Sequence, residues 1–447
     1  AEPLMRRRFS LGRALACAVL LSLPAVACTD DPPTAAGGDL FPGGTLPATF
    51  QVVLPADSFV RHLGSFSGYS GPGDVSYQLV ANRFDGALQA NTLVRLAAFP
   101  TSLSYTQGGT ARTDTLFTYG RGSLVAQLDT LASTSAGPLQ LQLWEVGQAW
   151  DPATVSWTMA VDTAGGRVAW TQPGGSRAGL LASATLSAGA RATGDSVVFA
   201  LDSLAVQRIA RSGFPGLLVT ATGAQGRVQL GNFQLRAGAH PRSASPDTLL
   251  PVNVSPSAAA FVYDPDQPSP SAGVFQAGGI RSARTLMRVD LPATVPVCRD
   301  GVCTRADIGD VTLNEVSLLL TPVAVPGGFR PIAPVATALR RVSEPQLGRR
   351  APLGEVVNEI VGIDPNTRRP VYAGARFDPA DSILAVPLTS FASNLVASDT
   401  TGFSLALLSD PGTLFGAPRS LSFGAAWFAP APRLPLVYTL PARPALP

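Results

Sequence analysis

The segment LQLQLWEVGQAWDPATVSW (residues 139–157) begins with six positions at which leucine alternates with glutamine or tryptophan. Alternation with a period of two is typical of a β-strand that has one buried face. If the leucines line a core, the opposite face presents an indole beside two amides, which suits a sugar ring and its hydroxyl groups. A structural role for the indole, covering a sheet edge or a contact between domains, is the alternative. The predicted core-facing residues are Leu139, Leu141 and Leu143, and the outward-facing residues are Gln140, Gln142 and Trp144.

Short segments of this kind continue along the chain from residue 49 onward. Examples are DSVVFAL (195–201), RVQLGNFQL (227–235) and SLSFGAAWF (420–428). The chain contains 44 glycines and 40 prolines, which supply many turns, and few segments have helical periodicity. We therefore predict an all-β protein of antiparallel, jelly-roll-like β-sandwiches.

The first 27 residues have the pattern of a bacterial export signal. Three arginines at residues 6–8 precede an apolar segment, residues 14–27, that is too short to span a bilayer. The segment ends in AVAC, which resembles a lipobox with Cys28 as the lipid acceptor; plain cleavage beside an incidental cysteine is the alternative. Residues 28–48 have the Pro, Gly and Asp content of a flexible tether. We expect an exported lipoprotein of the bacterial cell envelope, attached to the outer membrane through Cys28.

Two cysteines remain beyond Cys28, and both lie in CRDGVC (298–303). The Asp-Gly turn can fold Cys298 and Cys303 toward one another, so we predict a disulfide between them outside the cytoplasm. A metal site needs more ligands than the two histidines of the chain can supply. We expect no metal and no cofactor.

A faint internal repeat divides the chain. TLVRLAAFP (92–100) resembles TLMRVDLP (285–292), and both are followed about 100 residues later by a strand, a short helix and a second strand. Asp202 and Thr389 can cap the two helices. The prediction is two tandem β-sandwich domains at residues 49–250 and 259–447, joined by a linker at 251–258.

The order of motifs in the first half resembles the DNRLRE module, a family related to carbohydrate-binding modules of the disaggregatase and alginate-binding kind. The matching features are the Arg-containing strand that ends in FP, the tryptophan pair Trp150 and Trp157, the strand–helix–strand segment and the final PR…L strand. The resemblance covers residues 49–250, and the second half shares only its opening, helix and end. The resemblance implies an extracellular module that binds a ligand or acts as a spacer and that has no catalytic residues. Within such a module the tryptophan pair has a packing role.

Two further segments contain candidate contacts. RHLGSFSGYSGPGDVSYQ (61–78) mixes Tyr, Ser and Gly as adaptable binding loops do, with Tyr69 and Tyr77 as possible ligand contacts; a plain surface loop fits equally well. YDPDQPSP (263–270) spaces two aspartates as some calcium ligands are spaced, but it lacks the remaining positions of a calcium loop.

Charge and motif content exclude several classes of function. Charged residues make up 14% of the chain, and a net charge of +3 over 447 residues gives no continuous basic stripe, so we expect no nucleic-acid partner. The chain has no G-x-S-x-G, no H-E-x-x-H and no phosphate-binding loop. We expect no enzyme, although two carboxylates that meet only in the folded protein could still form a glycosidase pair.

Two functions remain: a cell-surface lipoprotein that binds polysaccharide, or a structural or adhesive spacer that holds an envelope protein and no small ligand.

Overall fold

The structure is a computed structural model, and antiparallel strands make up most of it. It describes residues 47–70, 75, 77–188, 195–299, 301–343, 347–366, 368, 370–400, 402–409 and 423–441. The predicted all-β class with antiparallel sandwiches is confirmed. The predicted signal, Cys28 and nearly all of the predicted tether lie outside the described residues. In the described part of the chain, no helix has the length and apolar character needed to cross a bilayer.

The strands of the first half, in chain order, are β1 Ala48–Leu54, β2 Val60–Phe66, β3 Tyr77–Phe84, β4 Leu88–Leu96, β5 Leu103–Gln107, β6 Thr110–Asp114, β7 Phe117–Leu128, β8 Thr134–Ser135, β9 Leu139–Val146, β10 Met159–Thr163, β11 Gly166–Ala169, β12 Arg177–Leu186, β13 Ser196–Leu201, β14 Leu217–Gly223, β15 Gly226–Pro241, β16 Leu250–Val254 and β17 Pro256–Asp264.

The strands of the second half are β18 Phe275–Gly278, β19 Arg284–Asp290, β20 Thr294–Arg299, β21 Val302–Asp307, β22 Thr312–Leu320, β23 Pro322–Val323, β24 Val335–Ala336, β25 Ala338–Val342, β26 Leu353–Val356, β27 Ile360–Ile363, β28 Pro370–Tyr372, β29 Arg376–Phe377, β30 Leu384–Pro387, β31 Gly402–Leu408, β32 Ala425–Phe428 and β33 Leu434–Leu440. The helices are α1 Ala56–Phe59, α2 Ser203–Ile209 and α3 Thr389–Ala397, with a 3₁₀ turn at Ile308–Asp310.

One large sheet dominates the first half. Its main strand order is β12-β9-β14-β4-β3-β15-β7-β13, with β16 and β8 paired to β15 and β17 paired to β4. The end strands β12 and β13 contact each other, so the sheet curls around its own core. That core contains Leu139, Leu141 and Leu143, which have no exposed surface, as the alternation in β9 predicts.

The second half is a sandwich of two sheets. The five-stranded sheet β2-β19-β31-β25-β26 packs against the four-stranded sheet β1-β33-β22-β30, with the three-stranded sheet β18-β32-β23 beside them. Side chains such as Met287, Leu405, Leu318 and Leu436 fill the core between the layers. Residues Phe50–Tyr438 form one compact unit. The described residues beyond it, 47–49 and 439–441, belong to a second unit, within which the hydroxyls of Thr49 and Thr439 lie 2.8 Å apart.

Strands are exchanged across the predicted domain boundaries, and this corrects those boundaries. Strand β2 pairs with β19 of the second half, from Val60 opposite Val289 to Phe66 opposite Arg284. Strand β17, most of which lies in the predicted second domain (259–447), pairs with β4 in the large sheet along nearly its whole length. Residues 251–258 are not a linker, because they lie in β16 and β17, both of which are hydrogen-bonded into the large sheet.

The predicted strand–helix–strand units are present in both halves as β13-α2-β14 and β30-α3-β31. In each half the second strand of the unit pairs with the strand of the first repeat motif, β14 with β4 and β31 with β19. Asp202 caps α2 by accepting a hydrogen bond of 2.7 Å from Ala205 N. The predicted cap at Thr389 is wrong: its hydroxyl accepts from Val316 N at 3.0 Å, and Leu388 is the N-cap residue.

A buried arginine joins the two halves. Arg227 of β15 is 1% exposed, and its Nη1 donates to the carbonyl oxygens of Gly328 and Arg330 at 2.6 and 2.9 Å. The guanidinium lies over the rings of Phe84 and Phe423, at 4.9 and 5.0 Å from their centroids. Burial, together with the nearby charge of Arg330, lowers the pKa of Arg227 to about 9. These rings belong to the joint cluster, an apolar cluster that contains Leu79, Phe261, Phe329 and Trp427 as well.

We predict that Arg227→Ala lowers the free energy of unfolding by about 3–5 kcal/mol, because two buried carbonyl groups lose their donor. The measurement is chemical denaturation followed by tryptophan fluorescence. Arg341→Ala is the control: its exposed pair with Glu355 spans 3.6 Å and should contribute less than about 1 kcal/mol. Equal stability of both variants would contradict the assignment.

A second prediction concerns Asp114 at the end of β6. Its carboxylate accepts hydrogen bonds from Ser243 N at 2.7 Å and Leu116 N at 2.8 Å, and these bonds lower its pKa, chiefly the bond from Ser243. A lowered pKa in the folded state means that the stabilisation is present above the ordinary pKa and is lost as the pH falls through the lowered value. Asp114→Asn should therefore reduce the melting temperature at neutral pH and flatten its fall in acid. Exposed Asp247→Asn is the control, and an unchanged acid profile in Asp114→Asn would contradict the prediction.

Candidate functional site

An open groove lies where the exchanged strands leave their sheets. Its volume is about 520 Å³. Three separate stretches of chain form its walls: the turn after β2, the segment 153–158 that contains Trp157, and the end of β17 with Tyr263. Arg281, which precedes β19, completes the lining together with Asp162, Asp264 and Asp266.

The tryptophan wall is built by the sequence DPATVSW (151–157). Asp151 fixes the turn, because its carboxylate accepts from the Thr154 hydroxyl at 2.7 Å and its carbonyl accepts from Val155 N at 2.9 Å. The half-buried ring of Trp157 lies against Gly174, which has a φ of 80°. A Cβ at that glycine would stand 2.7 Å from the indole, so Gly174 is required for the ring to occupy this position.

A second part of the lining depends on Arg281. Its carbonyl accepts hydrogen bonds from Gly68 N at 2.7 Å and Tyr69 N at 3.1 Å, which fixes the turn after β2. The hydroxyl of Ser70 donates to the Ile280 carbonyl at 3.1 Å. Burial raises the pKa of Tyr263, and the charge of Arg281 and its hydrogen bond to the phenol oppose that shift. The phenol of Tyr263 is therefore neutral at physiological pH and can both donate and accept.

The charges of the groove are mixed, with acidic groups in excess. Asp162 forms an ion pair of 2.8 Å with Arg167, and both side chains are well exposed. Asp264 and Asp266 are exposed, and among the lining residues that the structure describes Arg281 is the one basic side chain. A second cavity of about 340 Å³ shares Asp266 and Arg281 with the groove and continues it past Gln267. A groove with an indole, a phenol and several carboxylates can stack sugar rings and accept hydrogen bonds from their hydroxyl groups.

The predicted set Gln140, Gln142 and Trp144 lies on one face of β9, as expected, but outside the groove. Trp144 is half-buried and packs against the tryptophan cluster, whose buried members include Trp150, Trp170, Leu218 and Val262. Its Nε1 donates to the Thr220 hydroxyl at 3.2 Å, and Arg177 lies 5.6 Å from the ring centroid. The structure thus shows packing contacts for Trp144, and its contact with a carbohydrate stays a prediction.

Tyr69 and Tyr77 are not brought together with Trp144. The Tyr69 ring stacks on the guanidinium of Arg284 at 3.6 Å, and its hydroxyl donates to the Arg349 carbonyl at 2.5 Å. The side chain of Tyr69 is thus engaged outside the groove, and only its backbone supports the groove through the bond to Arg281. Tyr77 begins β3, which is separated from β9 by strands β4 and β14. Desolvation raises the pKa of Tyr77, with a further contribution from Asp129.

Two further sequence predictions concern residues outside the groove. The disulfide between Cys298 and Cys303 is confirmed; it links opposite, exposed positions of the hairpin β20–β21. Trp150 is buried, with Arg95 over its ring at 4.8 Å and its Nε1 donating to the Pro215 carbonyl at 3.0 Å, which is the packing role expected of it. Among the residues that the structure describes, no group of three or more His, Cys, Asp or Glu side chains is placed to hold a metal ion.

Sequence reasoning missed Trp157, Tyr263 and Arg281 as members of one site. It selected the segments 61–78 and 263–270 separately, and it assigned Trp157 to packing. The signal that was available is the coincidence of aromatic and acidic residues in YDPD (263–266). No sequence spacing indicates that this segment lies beside Trp157, because the pairing of β17 with β4 joins residues about 170 positions apart.

Comparisons with known proteins identify no family. No protein-family model matches the chain, and no curated protein sequence matches it significantly. Among solved structures, the C-terminal domain of the AgI/II polypeptide BspA of Streptococcus agalactiae is similar at 8% identity and a TM-score of 0.13, over 78% of this chain and 89% of that chain. A structure called BspA_C_mut is similar at 10% identity and a TM-score of 0.12, over 72% and 76%. Scores this low carry no argument about this chain, and the resemblance to DNRLRE modules stays a prediction.

Proposed function

We propose that this protein is an exported lipoprotein of the bacterial cell envelope that binds polysaccharide without cleaving it. The observation that carries the proposal is the groove that Trp157, Tyr263, Arg281 and three aspartates line together. Aromatic side chains supply flat apolar surfaces for sugar rings, and the polar groups between them fix orientation. The open form of the groove, continued by the cavity at Gln267, suits a chain of sugars better than a small enclosed ligand.

The charges favour a neutral polysaccharide over an acidic one. Asp264 and Asp266 would repel uronate carboxylates, and Arg281 already bonds to Tyr263. Carboxylates instead accept hydrogen bonds from sugar hydroxyls without a penalty from like charge. Neutral glycans are therefore the ligand class that we assign to the groove.

The N-terminal sequence supports the location. A charged segment, a short apolar segment and AVAC at residues 25–28 together favour export and acylation of Cys28. Acyl chains on that cysteine would bury enough methylene groups to hold the protein at a membrane. The groove would then face polymers outside the cytoplasm.

We predict that Trp157→Ala weakens retention in gels that contain a neutral glucan by about tenfold or more, because the sugar loses its stacking surface. Affinity electrophoresis of the full chain measures the effect, with a polyuronate gel as the comparison. Trp144→Ala is the matched control, since it removes an indole of the same cluster outside the groove. Melting temperatures establish that both variants are folded.

Three results would count against this assignment. The first is wild-type protein that no neutral glycan retards. The second is stronger retention by the polyuronate. The third is loss of retention in Trp144→Ala with Trp157→Ala unaffected, which would move the site to the face of β9.

A separate prediction tests the anchor. Cys28→Ser should move the protein from the membrane fraction to the soluble extracytoplasmic fraction, because the lipid acceptor is lost. Cell fractionation with immunoblotting checks this, and metabolic labelling with a fatty acid should mark the wild type alone. Wild-type protein that takes up no fatty acid would contradict lipidation.

A further inference from the structure

A second cavity, of about 530 Å³, opens in the large sheet where strand β3 ends. Strand β3 pairs with β15 only as far as Tyr77 opposite Gly231, and β16 begins to pair with β15 at Leu235. Residues 232–234 of β15 therefore lie in a gap between two partner strands. A β-bulge occupies the gap, because the register of β15 against β7 shifts between Gly231 and Gln234.

Amide and hydroxyl groups line this cavity, and none of the lining side chains that the structure describes is ionisable. The lining that matters here is Gln78, Asn232, Phe233, Gln234, Ser255 and Pro256. None of these residues lines the polysaccharide groove or the cavity that continues it. The cavity is thus a separate site of the same protein.

Gln78 is the deepest polar group of the lining. It is 3% exposed, and its Nε2 donates to the Val75 carbonyl at 2.8 Å, which fixes the orientation of the amide. Its Oε1 is buried and has no hydrogen-bond partner among the described residues. A buried acceptor of this kind is costly unless a donor reaches it, and the cavity is the direction from which one can come.

The mouth of the cavity supplies further amides in fixed orientations. Asn232 has a φ of 48°, and its Nδ2 donates to Gln127 Oε1 at 2.5 Å. Gln234 Oε1 accepts from Arg236 Nε at 2.9 Å. These bonds establish which atom of each amide is donor and which is acceptor. Asn232 Oδ1 and Gln234 Nε2 are the side-chain polar atoms that these two bonds do not use.

We propose that this cavity binds a neutral saccharide unit, with one ligand hydroxyl donating to Gln78 Oε1. The described part of the lining is neutral, which disfavours a charged ligand, and the buried acceptor disfavours a purely apolar one. The bulge at Asn232 breaks the regular spacing that an added peptide strand needs. The volume lies in the range of small-ligand sites and can hold a mono- or disaccharide. The assignment is independent of the groove.

The test is saturation-transfer NMR of the full chain with maltose, cellobiose and lactose, and with glucuronic acid as the charged comparison. At least one neutral disaccharide should bind wild type and Trp157→Ala alike. Gln78→Leu should weaken that binding about fivefold or more, because leucine has a side chain of similar size but no hydrogen-bond acceptor. Asn232→Gly is the second variant, because glycine adopts the required φ and lacks the amide. Gln207→Leu, on the exposed face of α2, is the control.

The outcomes separate the two sites. Retention of polysaccharide in gels should survive Gln78→Leu, so failure of the groove and failure of this cavity are distinguishable. Binding of none of the three disaccharides, or equal binding by wild type, Gln78→Leu and Asn232→Gly, would overturn the proposal. Loss of disaccharide binding in Trp157→Ala would overturn it as well, since the ligand would then belong to the groove. Melting temperatures identify a variant that does not fold, in which case the other variant decides.

Discussion

Strand β17 completes the large sheet beside β4, and strand β2 completes the five-stranded sheet beside β19. Strands are thus exchanged across the predicted domain boundaries: the second-half sandwich contains β1 and β2 from the start of the chain, and the large sheet contains β17, most of which lies in the predicted second domain. The backbone groups of β4 and β19 depend on these borrowed partners. Removing β17 would also uncover the tryptophan cluster, in which Ala260 and Val262 are buried against Trp150. The exchange explains why the second half cannot be cut from the first at the predicted linker.

The exchange also produces the groove. The turn that follows β2 and the residues that end β17 come from the two borrowed strands, and they meet at Arg281. Binding groups on loops that a rigid sheet supports are common in proteins, since loops vary while the scaffold stays fixed. In this chain the scaffold is two sheets locked to one another, so the loops of both halves can contribute to one surface.

The sequence predicted several local features of the fold. The alternation in β9 predicted which leucines are buried, the Asp-Gly turn predicted the disulfide, and the repeat predicted the strand–helix–strand units. These features depend on residues that are close in the chain. The strand exchange, the position of Trp157 beside Tyr263 and the burial of Arg227 depend on pairings between distant segments, for which periodicity has no signal. The phase of β9 was correct, yet it could not show that a second apolar cluster covers the face of Trp144.

Arg227 explains how walls from different parts of the chain keep a fixed separation. A buried cation is costly to desolvate, so it persists only where several groups compensate it, and here two carbonyl oxygens and two aromatic rings do so. Those groups come from the large sheet and from the second half, and Gly328 lies so close to Leu88 that a Cβ would stand 2.6 Å away. Such a contact has one geometry and little freedom to slide. A site that stacks sugars needs its aromatic groups held at a fixed distance, and the joint cluster around Arg227 provides that constraint, because Phe261 belongs to both the cluster and the groove and Tyr263 packs against the cluster.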